Sequence, residues 1–88
     1  MADTAVVIGV GASAGLGAAV ARRFAREGLQ VVIAGRTEDR LAKIVEEISE
    51  DGGAASLCVA DATLAEDLQN LMDHAEQAGR VISVVSHV

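Results

Sequence analysis

Between Gly9 and Gly17 the chain reads GVGASAGLG, four glycines and two alanines in nine residues, directly after the apolar run Ala5–Val10 (AVVIGV). A glycine-rich turn between a first strand and a first helix suits phosphate chemistry. The helix N-terminus offers unsatisfied N–H groups and partial positive charge, and glycines let a pyrophosphate approach the backbone closely. Two spacings fit. Gly9-x-Gly11 opens a G-x-G-x-x-G/A pattern that closes on Ala14, and Gly11, Gly15 and Gly17 fit G-x-x-x-G-x-G without substitution. The second makes Gly11, Ser13, Gly15, Leu16 and Gly17 the phosphate-facing loop and leaves Gly9 inside the strand, packed against a neighbour. No Lys-Ser/Thr ending follows, so a phosphate loop of the kinase or GTPase type is disfavoured.

Arg36 lies nineteen residues beyond Gly17. Dinucleotide sites place an acid at about this distance to hold a ribose 2′-hydroxyl, or an arginine to receive a 2′-phosphate. Here the acid is missing and the base is present, with the Thr37 hydroxyl beside it. A guanidinium grips phosphate with paired, charge-assisted bonds. The competing reading is a solvated arginine paired with Glu38 or Asp39. Asp61 follows a third apolar run, and its carboxylate suits either a ligand contact or the start of the next helix. His74 reads as a solvated helix residue and Cys58 as core.

These residues are positioned by alternating elements. A continuous β-branched run at Ala5–Val10 predicts a strand buried on both faces and Val31–Ala34 a second buried strand, with a weaker third strand at Ala54–Ala60 and a fourth at Val81–Val88. The Leu16–Glu27 stretch places Leu16, Val20 and Phe24 on one stripe, with Arg22, Arg23 and Arg26 off it, and Gly28 stands ready to cap the helix. Thr37 is placed to N-cap a second helix with core face Leu41, Ile44, Val45 and Ile48, stopped by Gly52-Gly53. Thr63 and Glu66 form a capping-box signature for a third helix carrying Leu64, Leu68, Leu71, Met72 and Ala75, ended by Gly79. The order β-α-β-α-β-α-β predicts an α/β fold, a Rossmann-like three-layer sandwich. Its four-stranded, partly doubly wound parallel sheet has strand order 3-2-1-4, with helices one and two on one face and helix three on the other.

Bulk properties narrow the function. A chain of 88 residues holds one domain. A net charge of −6 offers no basic stripe for nucleic acid. No apolar run reaches membrane-spanning length, and the acidic start does not read as a signal peptide, so a soluble cytoplasmic protein is expected. One cysteine excludes an intrachain disulfide and a cysteine-based metal cluster, and no metal site is expected. With Phe24 the only aromatic residue, the core must be aliphatic.

Taken together, GASAGLG at 11–17, the helix AAVARRFAREG, the turn AGRTEDRL at 34–41 and Asp61 in VADAT resemble the short-chain dehydrogenase/reductase family. The resemblance covers nearly the whole chain but only the first half of a full-length member. It implies that residues 1–88 are an NADP(H)-binding Rossmann half-domain, in which Asp61, with Ala62 beside it, contacts adenine. NADP(H) is expected over NAD(H) because of Arg36, although the loop position where NADP-type members often carry a second base holds Ala14. The resemblance also implies an Asn-Asn-Ala-Gly stretch, a Ser and a Tyr-x-x-x-Lys pair for oxidation or reduction of a carbonyl/alcohol pair. This chain has no tyrosine, reads Ser86-His87-Val88 at the asparagine position and has Val10 where a Thr usually precedes the first glycine. No catalytic residue is assigned, and a truncated, inactive oxidoreductase portion is expected. A stand-alone nucleotide-binding or regulatory module and a structural or interaction fragment are the alternatives. Strand four should present a bare edge, so homo-oligomerisation or self-association through it is expected.

Overall fold

The computed structural model describes residues 3–9, 15–61 and 63–86. Seven elements follow in order: β1 (Thr4–Ile8), α1 (Leu16–Arg26), β2 (Gln30–Gly35), α2 (Glu38–Glu50), β3 (Ala54–Val59), α3 (Ala65–Ala78) and β4 (Val81–Ser86). All pairings are parallel, and the sheet order is β3-β2-β1-β4, as the alternation predicts.

The pleat of the two central strands separates two cores. Val7, Val31 and Ile33 face one side and meet Ala18 and Ala21 of α1 and Leu41, Ile44 and Ile48 of α2. Val6, Ile8, Val32 and Ala34 face the other side and meet Leu71 and Ala75 of α3. Helices one and two therefore share a face and helix three takes the other. Each fully buried Val, Leu or Ile contributes on the order of 1.5–3 kcal/mol, which explains why β1 and β2 read as unbroken apolar runs rather than alternating ones.

Glycines end the first two helices as the sequence suggests. In α1, Gly28 takes φ +88°, its N–H donates to the Ala25 carbonyl, and the Leu29 N–H donates to the Phe24 carbonyl. Gly52, at φ +86°, and Gly53 repeat the arrangement on the Ser49 and Ile48 carbonyls of α2. This is the Schellman closure, which satisfies carbonyls that the helix leaves orphaned.

Several expectations require correction. The first strand stops at Ile8, and Gly9 is exposed rather than packed inside it. Gly9 has φ +89° while its N–H still donates to the Ala34 carbonyl, so it turns the chain out of the sheet, a conformation glycine adopts without steric cost. Thr37 occupies the N-cap position of α2, but its side chain makes no capping bond. The Thr63–Glu66 capping box does not form: the N-cap of α3 is Leu64, which is 52% exposed and outside the core. The fourth strand ends at Ser86, and residues 87 and 88 lie outside the described residues.

Both sheet edges are lightly covered. Val59 at the end of β3 and Ile82 and Val84 on β4 are about half-exposed. Thr4 is wholly buried at the start of β1, and its hydroxyl has no hydrogen-bond partner among the described residues. No helix among the described residues is long and apolar enough to cross a membrane.

Candidate functional site

Because the strands are parallel, their carboxyl ends share one edge of the sheet, together with the N-termini of the helices that follow. This edge gathers the predicted residues. Gly9 leaves β1, Arg36 leaves β2 directly after Gly35, and Asp61 follows Ala60 at the end of β3. The strand ends are paired, Ile8 with Ala34 and Gly35 with Val59, and the ladder runs one residue past β3, where the Ala60 N–H donates to the Gly35 carbonyl at 2.9 Å.

Of the glycine loop, Gly15 and Gly17 are described, while Gly11 and Ser13 lie outside the described residues. Gly15 is the N-cap of α1, in extended conformation, and its carbonyl accepts from the Ala19 N–H. No side chain caps this helix and no acid stands in its first turn, where α2 has Glu38 and Asp39 and α3 has Glu66 and Asp67. The N–H groups of its first turn thus carry partial positive charge with no side-chain anion of the same turn to answer it. Leu16 opens the helix, and Gly17 is buried.

Arg36 and Thr37 are exposed. Among the described residues Arg36 pairs with neither Glu38 nor Asp39, the partners expected of a merely solvated arginine. Its charge acts instead across the strand ends on Asp61.

Asp61 is half-buried, and Ala62 beside it lies outside the described residues. The Asp61 Oδ1 accepts from the Thr63 hydroxyl at 2.7 Å and the Thr63 N–H at 2.9 Å. The Leu64 N–H donates to the Asp61 carbonyl at 3.0 Å, closing a tight turn. The Thr63 hydroxyl first, then its N–H, with a smaller contribution from the Arg36 guanidinium, hold the Asp61 carboxyl below the usual carboxylate range. Asp61 is therefore an anion at neutral pH, able to accept from an amino group. Its Oδ2 accepts no hydrogen bond among the described residues.

Thr63 and Asp67 emerge from the structure as partners of Asp61. The Asp-x-Thr spacing announces the first. Asp67, whose Oδ2 accepts from the Asp61 N–H at 2.8 Å, has no local signature six residues away. His74 is another correction. It is half-buried rather than solvated, with Nε2 3.2 Å from the Ser56 Oγ, so it ties α3 to β3. Cys58 is half-buried on β3 beside the second core; burial first, then the Asp67 charge, pushes its thiol up.

A cleft of about 560 Å³ lies at the opposite end of the molecule, between the C-termini of α1 and α2. The ion pairs Arg22–Glu47 and Arg26–Asp51 cross it, and among the described residues none of the predicted ligand contacts lines it. Among the described residues no three His, Cys, Asp or Glu side chains gather closely enough to hold a metal ion.

Comparison with known proteins agrees with this geometry. The family model described as short chain dehydrogenase matches residues 5–87. The A-factor type gamma-butyrolactone 1′-reductase (1S-forming) of Streptomyces virginiae is 44% identical over 72 residues, covering 81% of this chain and 28% of that protein. The crystal structure of a short-chain dehydrogenase from Rhodopseudomonas palustris superposes with a TM-score of 0.90 at 29% identity, over 98% of this chain and 40% of that one. A variant actinorhodin polyketide ketoreductase, solved with NADPH, gives a TM-score of 0.88 at 29% identity, over 98% of this chain and 33% of that one. The chain thus spans about a third of the length of each of these three proteins.

Proposed function

Since this chain belongs to the short-chain dehydrogenase family, we propose that residues 1–88 form the adenosine-pyrophosphate-binding portion of an NADP(H)-dependent oxidoreductase acting on a carbonyl/alcohol pair. The observation that carries the reading is Arg36: an exposed guanidinium at the carboxyl end of β2, unpaired with the acids that follow it, where a 2′-hydroxyl-binding enzyme would place a carboxylate. The ketoreductase solved with NADPH supports the same cofactor class.

In this reading each group of the edge has one task. The N-terminus of α1, from Gly15 to Gly17, receives the pyrophosphate, with Gly11 and Ser13 completing the loop. Arg36 forks onto the 2′-phosphate, and Thr37, whose hydroxyl is not used as a helix cap, supplements it. Asp61 accepts from the adenine amino group, beside Ala62. When bound, the nicotinamide cofactor supplies or receives the hydride. Proton donation and stabilisation of the developing oxyanion fall, by the family resemblance, to a Ser and a Tyr-x-x-x-Lys pair, and this chain has no tyrosine. The 88-residue chain is expected to bind cofactor without turning over substrate.

The lightly covered β4 edge supports self-association of the isolated chain. Ile82 and Val84 are 50% and 48% exposed on a strand with one open hydrogen-bonding side. Sedimentation at rising concentration tests this, and a clean monomer throughout counts against it. Calorimetry on the 88-residue chain with NADPH, NADH and ADP tests the cofactor reading. Heat is expected with NADPH, with weaker binding of NADH. No heat with any of the three refutes nucleotide binding and leaves a structural or interaction role.

A further inference from the structure

The segment joining β3 to α3 holds Asp61 at four points. Its Oδ1 takes the Thr63 hydroxyl and the Thr63 N–H, its carbonyl takes the Leu64 N–H, and its own N–H donates to the Asp67 Oδ2 at 2.8 Å. The first three bonds are made within three residues and belong to the turn itself. They fix the shape of the turn, whose last residue, Leu64, is the N-cap of α3. The fourth bond ties the first peptide of the turn directly to that helix. Asp67 is half-buried in the first turn of α3, a helix seated on the sheet through the wholly buried Leu71 and Ala75. A carboxylate at that place is favoured by the helix N-terminus, and a charged acceptor makes a strong bond to a backbone N–H. The same carboxylate acts on Cys58 of β3, which places it over the junction between strand and helix.

We propose that Asp67 is a positioning residue for the adenosine end of the cofactor: by anchoring the Asp61 peptide to α3 it sets the direction in which the Asp61 carboxylate meets the ligand. This deepens the nucleotide-binding reading above and rests on it. Asp67 itself touches no ligand. Its effect passes through Asp61 and is confined to adenine-bearing compounds.

The test uses the ¹⁵N-labelled 88-residue chain and adenosine 2′,5′-bisphosphate, which carries the adenine and both phosphates but no nicotinamide. Without ligand, Asp67→Ala speeds amide exchange at Asp61 about tenfold, the scale of one charge-assisted hydrogen bond. Asp67→Asn, which keeps an acceptor oxygen, stays within about threefold of wild type. With ligand, Asp67→Ala weakens binding by about fivefold to tenfold. In that background Asp61→Ala adds little further loss, because both changes remove the same contact. If the alanine variant unfolds, Asp67→Glu gives both readouts: it keeps the charge at the helix start and misplaces the carboxylate by one methylene. Unchanged exchange at Asp61 in Asp67→Ala, or losses at 61 and 67 that simply multiply, overturns the proposal while nucleotide binding stands. A wild-type chain that ignores the bisphosphate overturns both.

Discussion

Replacing Arg36 by alanine separates the two cofactors. The side chain is exposed, follows the last residue of β2 and carries no ion pair to Glu38 or Asp39, so its removal leaves the fold intact and the melting temperature unchanged. A hydrogen bond to a charged group is worth about 1.5–3 kcal/mol, and solvent exposure at this edge favours the lower part of that range. A loss of about 1.5–2 kcal/mol corresponds to roughly tenfold to thirtyfold weaker NADPH binding. NADH has a hydroxyl in place of the 2′-phosphate and should lose less than about twofold. The effect on the adenine contact is small, because Arg36 is only a minor cause of the lowered Asp61 carboxyl and Thr63 the main one. Calorimetric titration of wild type and Arg36→Ala with NADPH and NADH, at low and at physiological salt, gives both ratios. The NADPH loss should shrink as salt screens the exposed charge. Equal losses for the two cofactors would refute the assignment of Arg36 to the 2′-phosphate.

Three further outcomes follow from the packing and the charges. Thr4→Val removes a buried hydroxyl that lacks a partner among the described residues while keeping the shape; it should stabilise the chain by about 1 kcal/mol, read as a rise of several degrees in Tm. Gly53→Ala would place a Cβ 2.8 Å from Ile48 Cγ2 and 3.0 Å from Ala25 Cβ, and should cost about 1–3 kcal/mol in urea unfolding as α1 and α2 are forced apart. The folded Asp61 carboxyl lies below its unfolded value of about 3.9, so its contribution is present above that pH and is lost as pH falls through the folded value. Acid titration of stability should therefore fall below about pH 4, and Asp61→Asn should flatten that limb; an unchanged limb would count against the Thr63–Asp61 bonds.

How far the chain could be read before folding depended on whether a feature is local. Helix-ending glycines are local, because a left-handed residue after an amphipathic stripe has one economical use, and Gly28 and Gly52 both fill it. Strand order was legible because short βαβ crossovers allow few arrangements. Gly9 was misplaced because an apolar run does not reveal its last paired residue, and the turn out of β1 begins one residue beyond Ile8. The expected Thr63–Glu66 box failed because α3 starts one residue later, with Leu64 as its N-cap, and because the Thr63 N–H that a Glu66 carboxylate would take donates instead to the Asp61 Oδ1. His74 was read as solvated because a helical wheel shows the face but not the Ser56 hydroxyl that the neighbouring strand brings to it.

The sequence by itself determined the element order and the two apolar cores, which follow from periodicity along one chain; its motifs carried the resemblance to the family and offered Gly15, Gly17, Arg36 and Asp61 as candidate ligand contacts. Only the tertiary structure decided that Arg36 and Asp61 stand at neighbouring strand ends, and that Asp67 anchors the turn between β3 and α3. Those relations depend on which strands lie side by side and how α3 sits on the sheet. That packing, rather than the spacing of residues along the chain, brings a side chain in the first turn of a helix to a peptide at the end of a strand.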